Sequence, residues 1–495
     1  MKTAFKLSPL LLGLIMAGCS LAPTYERPSV NAPAAFKEAD AIAKDWKPAQ
    51  PADDAHRGEW WRVFGDESLN GLEQQAQAEN QNLKAASSRL AQSRALRQAA
   101  HSQWFPQLGV GFGPTRQKPS PASLGLPANA STSASTLWRA QADVSYEVDL
   151  FGRVASSVNA ANADAQENEA LYRSVLLALQ ADVAQGYFLI RELDAEAALY
   201  TSTVDLRTKA LDLVQKRFEA GDISELDVAR AKSELAAAQA DALGIARSRA
   251  EAEHALALLL GKAPADFTLA ATPLDPVLVK IPAGLSSSLL ERRPDIAAAE
   301  RAMAAANARI GLARAAYFPS LNITGAVGYE AATLGHLTDW SSRTFLLGPM
   351  AGTMLSLPIF DGGRRKAGVA QARAAYEEDV ANYRQTVLNG FREVEDGLAN
   401  LRLLDQQMAA QDEAVAASER AADLSHLRYR EGSVSYLEVI DSDRSVLAQQ
   451  RGTVQLNGAR VRTAVSLIRA MGGGWDAPAQ PVTVVKDDKQ VAALR

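Results

Sequence analysis

Apolar and small residues recur at alternating steps of three and four along two long stretches of the chain. In the first stretch, which starts at Arg153, no proline occurs and the only glycine is Gly186. This spacing is typical of a helix that packs against other helices along its length. It predicts long helices over 153–219 and 363–431, each roughly 100 Å at ~1.5 Å per residue. Charges such as Arg173 and Asp182 exclude them from lipid.

The neighbourhoods of the two long stretches also repeat, at an offset of about 210 residues. Trp104-Phe105-Pro106 is echoed by Tyr317-Phe318-Pro319, and Arg217–Gly221 by Arg428–Gly432. The sequence therefore predicts two copies of one structural repeat, over 60–262 and 289–471. A linker at 263–288 joins them, and a C-terminal tail at 472–495 follows. Each repeat has an opening helix (the first from about Asp66 to Trp104), a hairpin, the long helix and a return helix. The predicted return helices are 224–260 and 435–471, each after a glycine turn.

Between the opening and long helices, apolar residues alternate with polar or tiny ones. Leu108, Val110 and Phe112 alternate with glycines, and the same pattern returns before 150. Alternation over about ten residues is typical of an outer-membrane β-strand and predicts hairpins over 106–150 and 319–358. The run Gly109–Gly113 also resembles a nucleotide-binding loop, but it leads into another strand pattern rather than into a helix. The aromatic residues of these hairpins are either membrane-interface anchors or ordinary strand residues: Trp138, Tyr329, Trp340 and Phe345.

The N-terminus carries Lys2 and Lys6, then an apolar run and small residues, which is the pattern of a signal peptide over 1–18. Met16-Ala17-Gly18-Cys19 resembles a bacterial lipobox, so we expect Cys19 to be lipidated and to start a proline-rich tether over 19–59. The other interpretation is a plain signal peptide followed by a chance cysteine. Cys19 is the only cysteine, which excludes an intramolecular disulfide.

Charge and chemistry exclude several classes of function. A formal net charge of -5 gives no indication of nucleic-acid binding. The five histidines are scattered without metal-ligand spacing, and neither a hydrolase motif nor a phosphate loop occurs. We therefore predict no catalytic residue, no metal and no cofactor, with any energy supplied by a partner. A lipid-anchored structural coiled coil and a periplasmic enzyme are the alternatives; the hairpins oppose the first, and the second lacks a catalytic constellation.

Four predicted membrane strands per chain are too few for a closed wall. An open sheet would leave unpaired backbone N–H and C=O groups in hydrocarbon. Two copies would give eight strands, whose interior is filled by side chains, whereas three copies give twelve and leave a channel. The strand count therefore predicts a homotrimer.

Five segments spread over the mature chain carry a resemblance to a known family: Trp60–Leu69, Tyr146–Arg153, Glu291–Ile296, Phe360–Arg364 and Gly472–Trp475. In these segments the chain resembles the TolC-type outer membrane factors, in the OprM/NodT-like lipoprotein branch. The resemblance implies a mainly α fold with a transmembrane β part, in which a homotrimeric 12-stranded β-barrel continues into a 12-helix periplasmic α-barrel. It also implies an exit duct in the outer membrane that works with a periplasmic adaptor and an inner-membrane transporter, commonly of the resistance-nodulation-division type. The cargo class, whether drugs, metals or proteins, stays open.

In that family the helix after the second turn lines a periplasmic constriction. By position, Leu437 corresponds to its apolar ring and Asp441 to its acidic ring, with Glu438 as an additional acid. Glu438 and Asp441 are three residues apart and share a helix face, so their copies in a trimer would repel one another and attract cations. The alternative is that all three are solvated coiled-coil positions.

The resemblance also implies supporting residues around the two turns. Arg428, Tyr429 and Arg444 are candidates for the bonds that hold the helix ends together. The tips at Gly221, Asp222, Gly432 and Ser433 are candidate adaptor contacts.

Overall fold

The computed structural model describes residues 21–29, 58–274, 293–347 and 355–473. The predicted signal peptide, Cys19, most of the tether, residues 275–288 of the linker and the tail beyond 473 lie outside the described residues. Contacts divide the described chain into two compact units. The β unit contains residues 21–29, 89–168 and 298–383, and the helical unit contains 58–88, 169–297 and 384–473, in each case with the gaps given above.

Seven α-helices are described, and the bounds of the longest follow the predicted ones to within one residue. They are α1 (Glu67–Glu79), α2 (Gln81–His101), α3 (Arg153–Glu219), α4 (Glu225–Leu259), α5 (Pro294–Ala315), α6 (Arg364–Arg430) and α7 (Tyr436–Ala470). The described helices include none that is both long and apolar enough to cross a membrane.

The predicted single opening helix from Asp66 to Trp104 is wrong, because the chain breaks at Asn80. Asn80 has extended backbone, with φ -61° and ψ 126°. Its side chain accepts a hydrogen bond from the Leu83 N–H at 2.9 Å and donates one to the Leu259 carbonyl at 2.8 Å. The amide thus caps α2 and holds α4 at the same point. Trp60–Phe64 forms a short 3₁₀ helix before α1 rather than part of it.

Both long helices begin at an aspartate that caps their first turn. The Asp149 carboxylate accepts hydrogen bonds from the Val154 and Ala155 N–H groups at 3.1 and 2.7 Å. Asp361 accepts from the Gly363 and Arg365 N–H groups at 3.0 and 3.1 Å. A carboxylate at this position satisfies free N–H groups and complements the positive end of the helix dipole.

The strands form one antiparallel sheet in the order β1-β2-β3-β4. Their bounds are β1 (Gln107–Gln117), β2 (Ser135–Val148), β3 (Ser320–Ala331), β4 (Arg343–Leu347) and β5 (Leu355–Ser356). β5 also pairs with β3, so β4 and β5 together occupy the place of the predicted fourth strand, on either side of residues 348–354. The helices adjoin one end of this sheet, the helix end, and the segments 118–134 and 332–342 join the strands at the other, the loop end.

The register sorts the sheet into two unlike faces. Cross-strand partners share a face, so the pairs Val110–Ala142, Ala142–Val327 and Val327–Phe345 place these residues together. We call this the apolar face; its large side chains are exposed in the single chain: Leu108, Val110, Phe112, Ile323, Val327, Tyr329 and Phe345. The polar face carries glycines of β1, Gln141, Asp143, Thr324 and an Arg139–Glu330 ion pair at 2.7 Å.

Residues 21–29, part of the predicted tether, pack against helices of the β unit. The Tyr25 hydroxyl donates to the Glu300 carboxylate on α5 at 2.7 Å, and Arg27 donates to the Tyr383 hydroxyl on α6 at 2.9 Å. The Asn307 amide donates to the Pro23 carbonyl at 2.8 Å. This part of the tether is therefore held along its length.

The core of the helical unit contains an acidic side chain without an ion partner. Glu73 on α1 is fully buried, and neither carboxylate oxygen has a hydrogen-bond partner among the described residues. Burial raises the pKa of this carboxyl to about 9, because the charged form would lose its hydration. Glu73 is thus protonated at neutral pH.

Candidate gate at the helix turns

Two turns of the same design end the long helices. In the first, Gly221 has φ +81° and donates to the Phe218 carbonyl at 2.9 Å, while the Asp222 N–H donates to the Arg217 carbonyl at 2.9 Å. In the second, Gly432 has φ +74°, and the matching bonds run to Tyr429 at 3.0 Å and from Ser433 to Arg428 at 2.8 Å. Both are Schellman turns, in which a left-handed residue satisfies the last carbonyls of the helix. Glycine is favoured there because it lacks a Cβ.

A hydrophobic cluster fixes the helices just behind these turns. It contains Val214 of α3, Val228 and Ala231 of α4, and Tyr436, Val439 and Ile440 of α7. Tyr429 of α6 packs against the cluster, with its ring centroid 5.5 Å from that of Tyr436 and the Arg217 guanidinium 5.2 Å above it. All four helices are therefore tied together near their tips.

The opposite side of α7 is exposed and carries the three predicted gate residues. Leu437 is 40% exposed, Glu438 and Asp441 are exposed as well, while Tyr436 and Val439 beside them are buried in the cluster. The helical period thus turns Leu437, Glu438 and Asp441 away from their own chain together. An exposed leucine beside two exposed acids is a surface suited to contact with another molecule.

Arg444 links this exposed face to α4. Its guanidinium forms an ion pair with the buried carboxylate of Glu234 and lies 3.6 Å from the Asp441 carboxylate. Glu234 also pairs with Arg207 of α3 at 3.1 Å, and Arg207 donates to the Glu234 carbonyl at 2.7 Å. Two arginines thus compensate one buried acid, and α7 is joined through it to α3 and α4.

These ion pairs lie at one end of a groove of about 550 Å³ between α3, α4 and α7. Further along it, Arg451 pairs with Glu196 at 3.2 Å, and Gln455 donates to Glu196 at 2.9 Å. Four charged residues that line the groove therefore already have ion-pair partners: Arg207, Glu234, Arg444 and Arg451.

The other predicted residues lie at or beside the turns. The Tyr429 hydroxyl is buried without a hydrogen-bond partner among the described residues. The pKa of Tyr436 is raised to about 12, mainly by burial and to a smaller extent by the neighbouring Tyr429. Arg428 contributes its carbonyl to the turn. The tip residues Gly221, Asp222, Gly432 and Ser433 are exposed.

Sequence reasoning missed Glu234 and Arg207. It also missed a contact between α6 and α7, in which the His426 ring lies 2.8 Å from the Asp443 carboxylate. A signal for Glu234 existed, since it follows Ala231 and precedes Ala238 at helical spacing and so interrupts an apolar stripe. Across the described ranges, no group of three or more acidic, histidine or cysteine side chains is arranged to hold a metal ion.

Comparison with known proteins identifies relatives along nearly the whole chain. The profile of the family described as outer membrane efflux protein matches residues 72–262 and 285–473. The toluene efflux pump outer membrane protein TtgF of Pseudomonas putida is 34% identical over 482 residues, which is 95% of this chain and 98% of TtgF. The cation efflux system protein CusC of Escherichia coli is 32% identical over 473 residues, 95% of this chain and 99% of CusC.

Solved structures agree with the sequence relatives. The outer-membrane channel OprN superposes with a TM-score of 0.82 at 27% identity, covering 93% of this chain and 100% of OprN. A crystal structure of CusC superposes with a TM-score of 0.80 at 30% identity, covering 92% of this chain and 100% of that chain. Because the family profile covers most of the chain and the fold agrees throughout, this protein is a member of the outer membrane efflux protein family.

Proposed function

We propose that this outer-membrane efflux channel is a homotrimeric exit duct whose gate is formed by Leu437, Glu438 and Asp441 at the periplasmic helix tips. The observation that carries the gate is the exposed face of α7, where these residues point away from a hydrophobic cluster that holds the helix in place. In a three-fold ring each residue would face two copies of itself.

The trimer is supported by the sheet. β1 and β4 form the two edges of the described sheet, and large apolar side chains on one face are exposed in the single chain. A sheet with these properties is stable in a bilayer only if its edges meet other strands. Three copies would close a 12-stranded barrel with the apolar face toward lipid and the polar face toward the channel. The long helices would continue it as a 12-helix α-barrel in the periplasm.

The gate combines two physical effects. Three leucines at one level would exclude water from the narrowest point, because an apolar constriction closes by dewetting. The carboxylates of Glu438 and Asp441 would repel their copies, and their combined negative charge would attract cations to the mouth. Arg444 opposes the repulsion, since it lies beside Asp441 and also binds Glu234.

The tip residues Gly221, Asp222, Gly432 and Ser433 are the proposed contacts for a periplasmic adaptor, which would couple the duct to an inner-membrane transporter of the resistance-nodulation-division type. They are exposed, and backbone hydrogen bonds hold the turns that present them. Relatives of nearly equal identity are named for a toluene pump and for a cation system. We therefore propose that the transporter, rather than the duct, selects the cargo.

The gate is tested by single-channel recording in planar bilayers. Asp441→Ala should lower cation selectivity, because one acidic ring is removed. Leu437→Ala should raise conductance without a change in selectivity, since it widens the apolar constriction only. Wild-type conductance and selectivity in both variants would refute the gate. If the trimer still conducts in that case, the proposed exit duct is not refuted.

The proposed lipid anchor is tested separately. Cys19→Ser should abolish incorporation of labelled palmitate and release the protein from the anchor, while the described fold is retained. Unchanged labelling of this variant would refute acylation at Cys19.

A further inference from the structure

Charged residues are distributed unevenly between the two faces of the sheet. On strands β1–β4, Arg139, Asp143, Glu147 and Glu330 all lie on the polar face. The apolar face carries only Arg116 and Arg343 among its described residues. Both are cations and both lie at the loop end, remote from the helices. An apolar face toward lipid tolerates arginine only near the membrane interface.

The spacing places Arg116 at such an interface. From Leu108 to Arg116 the strand rises about 26 Å, at ~3.3 Å per residue. At the ~40° tilt of outer-membrane strands this length spans about 20 Å of the ~25 Å apolar band, so Arg116 lies near the edge of the band. Val110, Phe112 and Pro114 occupy the intervening positions on that face. Trp138 stacks on Phe112 with ring centroids 5.9 Å apart, which adds an interfacial aromatic just below Arg116.

The two arginines have few partners within their own chain. Among the described residues no carboxylate forms an ion pair with Arg116, and the side chain is exposed. Arg343 donates from Nε to the Trp340 carbonyl at 3.0 Å and lies over the Trp340 ring, which is 77% exposed. These contacts hold the guanidinium in place and leave its two terminal nitrogens for an acceptor.

In the ring proposed above the two arginines would lie on neighbouring strands. Within one chain β2 and β3 separate them, but β4 of one copy would adjoin β1 of the next, at about 4.8 Å between strands, with both arginines at the loop end. Two cations on one face near such a junction repel each other, and an anion bound between them offsets this repulsion. The lipid-facing position selects an anion that carries acyl chains.

We propose that Arg343 of one copy and Arg116 of the next form a binding site for the phosphate headgroup of an anionic lipid at the loop end of the sheet. The inference rests on the proposed trimer, because neither chain completes the site alone. It predicts three equivalent sites per trimer, one at each junction. The guanidinium groups would bind phosphate oxygens, while the acyl chains would lie along Phe345 and Val110 of the apolar face.

The test is native mass spectrometry of the purified full-length protein in a nonionic detergent, titrated with dioleoyl phosphatidic acid. We expect up to three lipids bound per trimer, and about tenfold weaker binding for Arg116→Gln and for Arg343→Gln, since each loses a charge-assisted contact to phosphate. Arg116→Lys should restore much of the binding, because it keeps the charge. The double variant Arg139→Gln, Glu330→Gln is the matched control, since it removes charges from the same end on the polar face.

Each outcome decides a point. Wild-type affinity in both arginine variants, or an equal loss in the control, overturns the site. Equal binding of dioleoyl phosphatidylcholine overturns phosphate recognition, and inorganic phosphate that competes at the concentrations at which the lipid binds shows a free-phosphate site and overturns the lipid. A trimer that binds no phosphatidic acid overturns this inference alone, whereas a wild-type mass other than three chains overturns the ring and the shared site with it.

Discussion

Replacing Arg444 by glutamine should open the duct, because the Arg444–Glu234 pair holds α7 to α4 beside the proposed constriction. Glu234 is 9% exposed at its side chain, but Arg444 is 57% exposed. Solvent therefore screens the pair, and we assign it about 1 kcal/mol rather than the larger value of a buried pair. If the bond breaks on opening, its loss changes the open-to-closed ratio about fivefold for one chain and about 150-fold for three chains that open together.

The assay is the open probability of single channels in planar bilayers, with Glu234→Gln and the double variant completing a mutant cycle. Arg451→Gln is the matched control, because Arg451 lies seven residues after Arg444 on α7, is 45% exposed and pairs with a buried acid of α3, Glu196. Its open probability should stay at the wild-type level. Equal effects of the Arg444 and Arg451 variants, or additive effects of Arg444→Gln and Glu234→Gln, would refute the reasoning.

Two further predictions concern stability, measured by thermal or urea unfolding of the detergent-solubilised protein. The Glu73 carboxyl has its ordinary pKa of 4.5 in the unfolded state and a pKa of about 9 in the folded state. Between these two pH values the folded state keeps a proton that the unfolded state has released, so the free energy of unfolding falls as the pH rises from about 4.5 to about 9. Glu73→Gln does not titrate and should therefore be more stable by about 3 kcal/mol at pH 7, at 1.36 kcal/mol per pH unit; a pH-independent difference would contradict this. Gly432→Ala should destabilise by about 1–2 kcal/mol, since the turn needs a positive φ. Gly244→Ala, inside α4 with open space around an added Cβ, should stabilise by up to about 1 kcal/mol, and equal effects of the two would show that the turn is not strained.

The helices were largely predictable because their determinants are local. The apolar stripe sets each helix, and Gly221 and Gly432 end α3 and α6 through bonds that involve only neighbouring residues. The break at Asn80 was not predictable, because its side chain binds the Leu259 carbonyl, 179 residues away. The hydrogen bond from Tyr25 to Glu300 was not predictable for the same reason, because a proline-rich segment has no periodic pattern that indicates its partner.

The candidate site was predictable in part. The positions of Leu437, Glu438 and Asp441 on one exposed face follow from helical spacing alone. Glu234 was missed because it belongs to the other repeat, 210 residues before Arg444. A charge within an apolar stripe indicates that a partner exists but not which one, since that depends on how the helices pack.

The polar face of the sheet offers a way to measure the bore directly. Its first strand presents Gly109, Gly111 and Gly113, and a Cβ added at Gly111 or Gly113 would meet nothing within 4 Å, whereas one at Gly109 would displace the Asp143 carboxylate. Cys19 is the only native cysteine, and its sulfur would be blocked by the proposed lipid, so a cysteine placed at either open position would be the single reactive thiol in the proposed channel. Reaction of this thiol with maleimides of increasing diameter would then be measured. The largest maleimide that still reacts would give the diameter of the pore at that height.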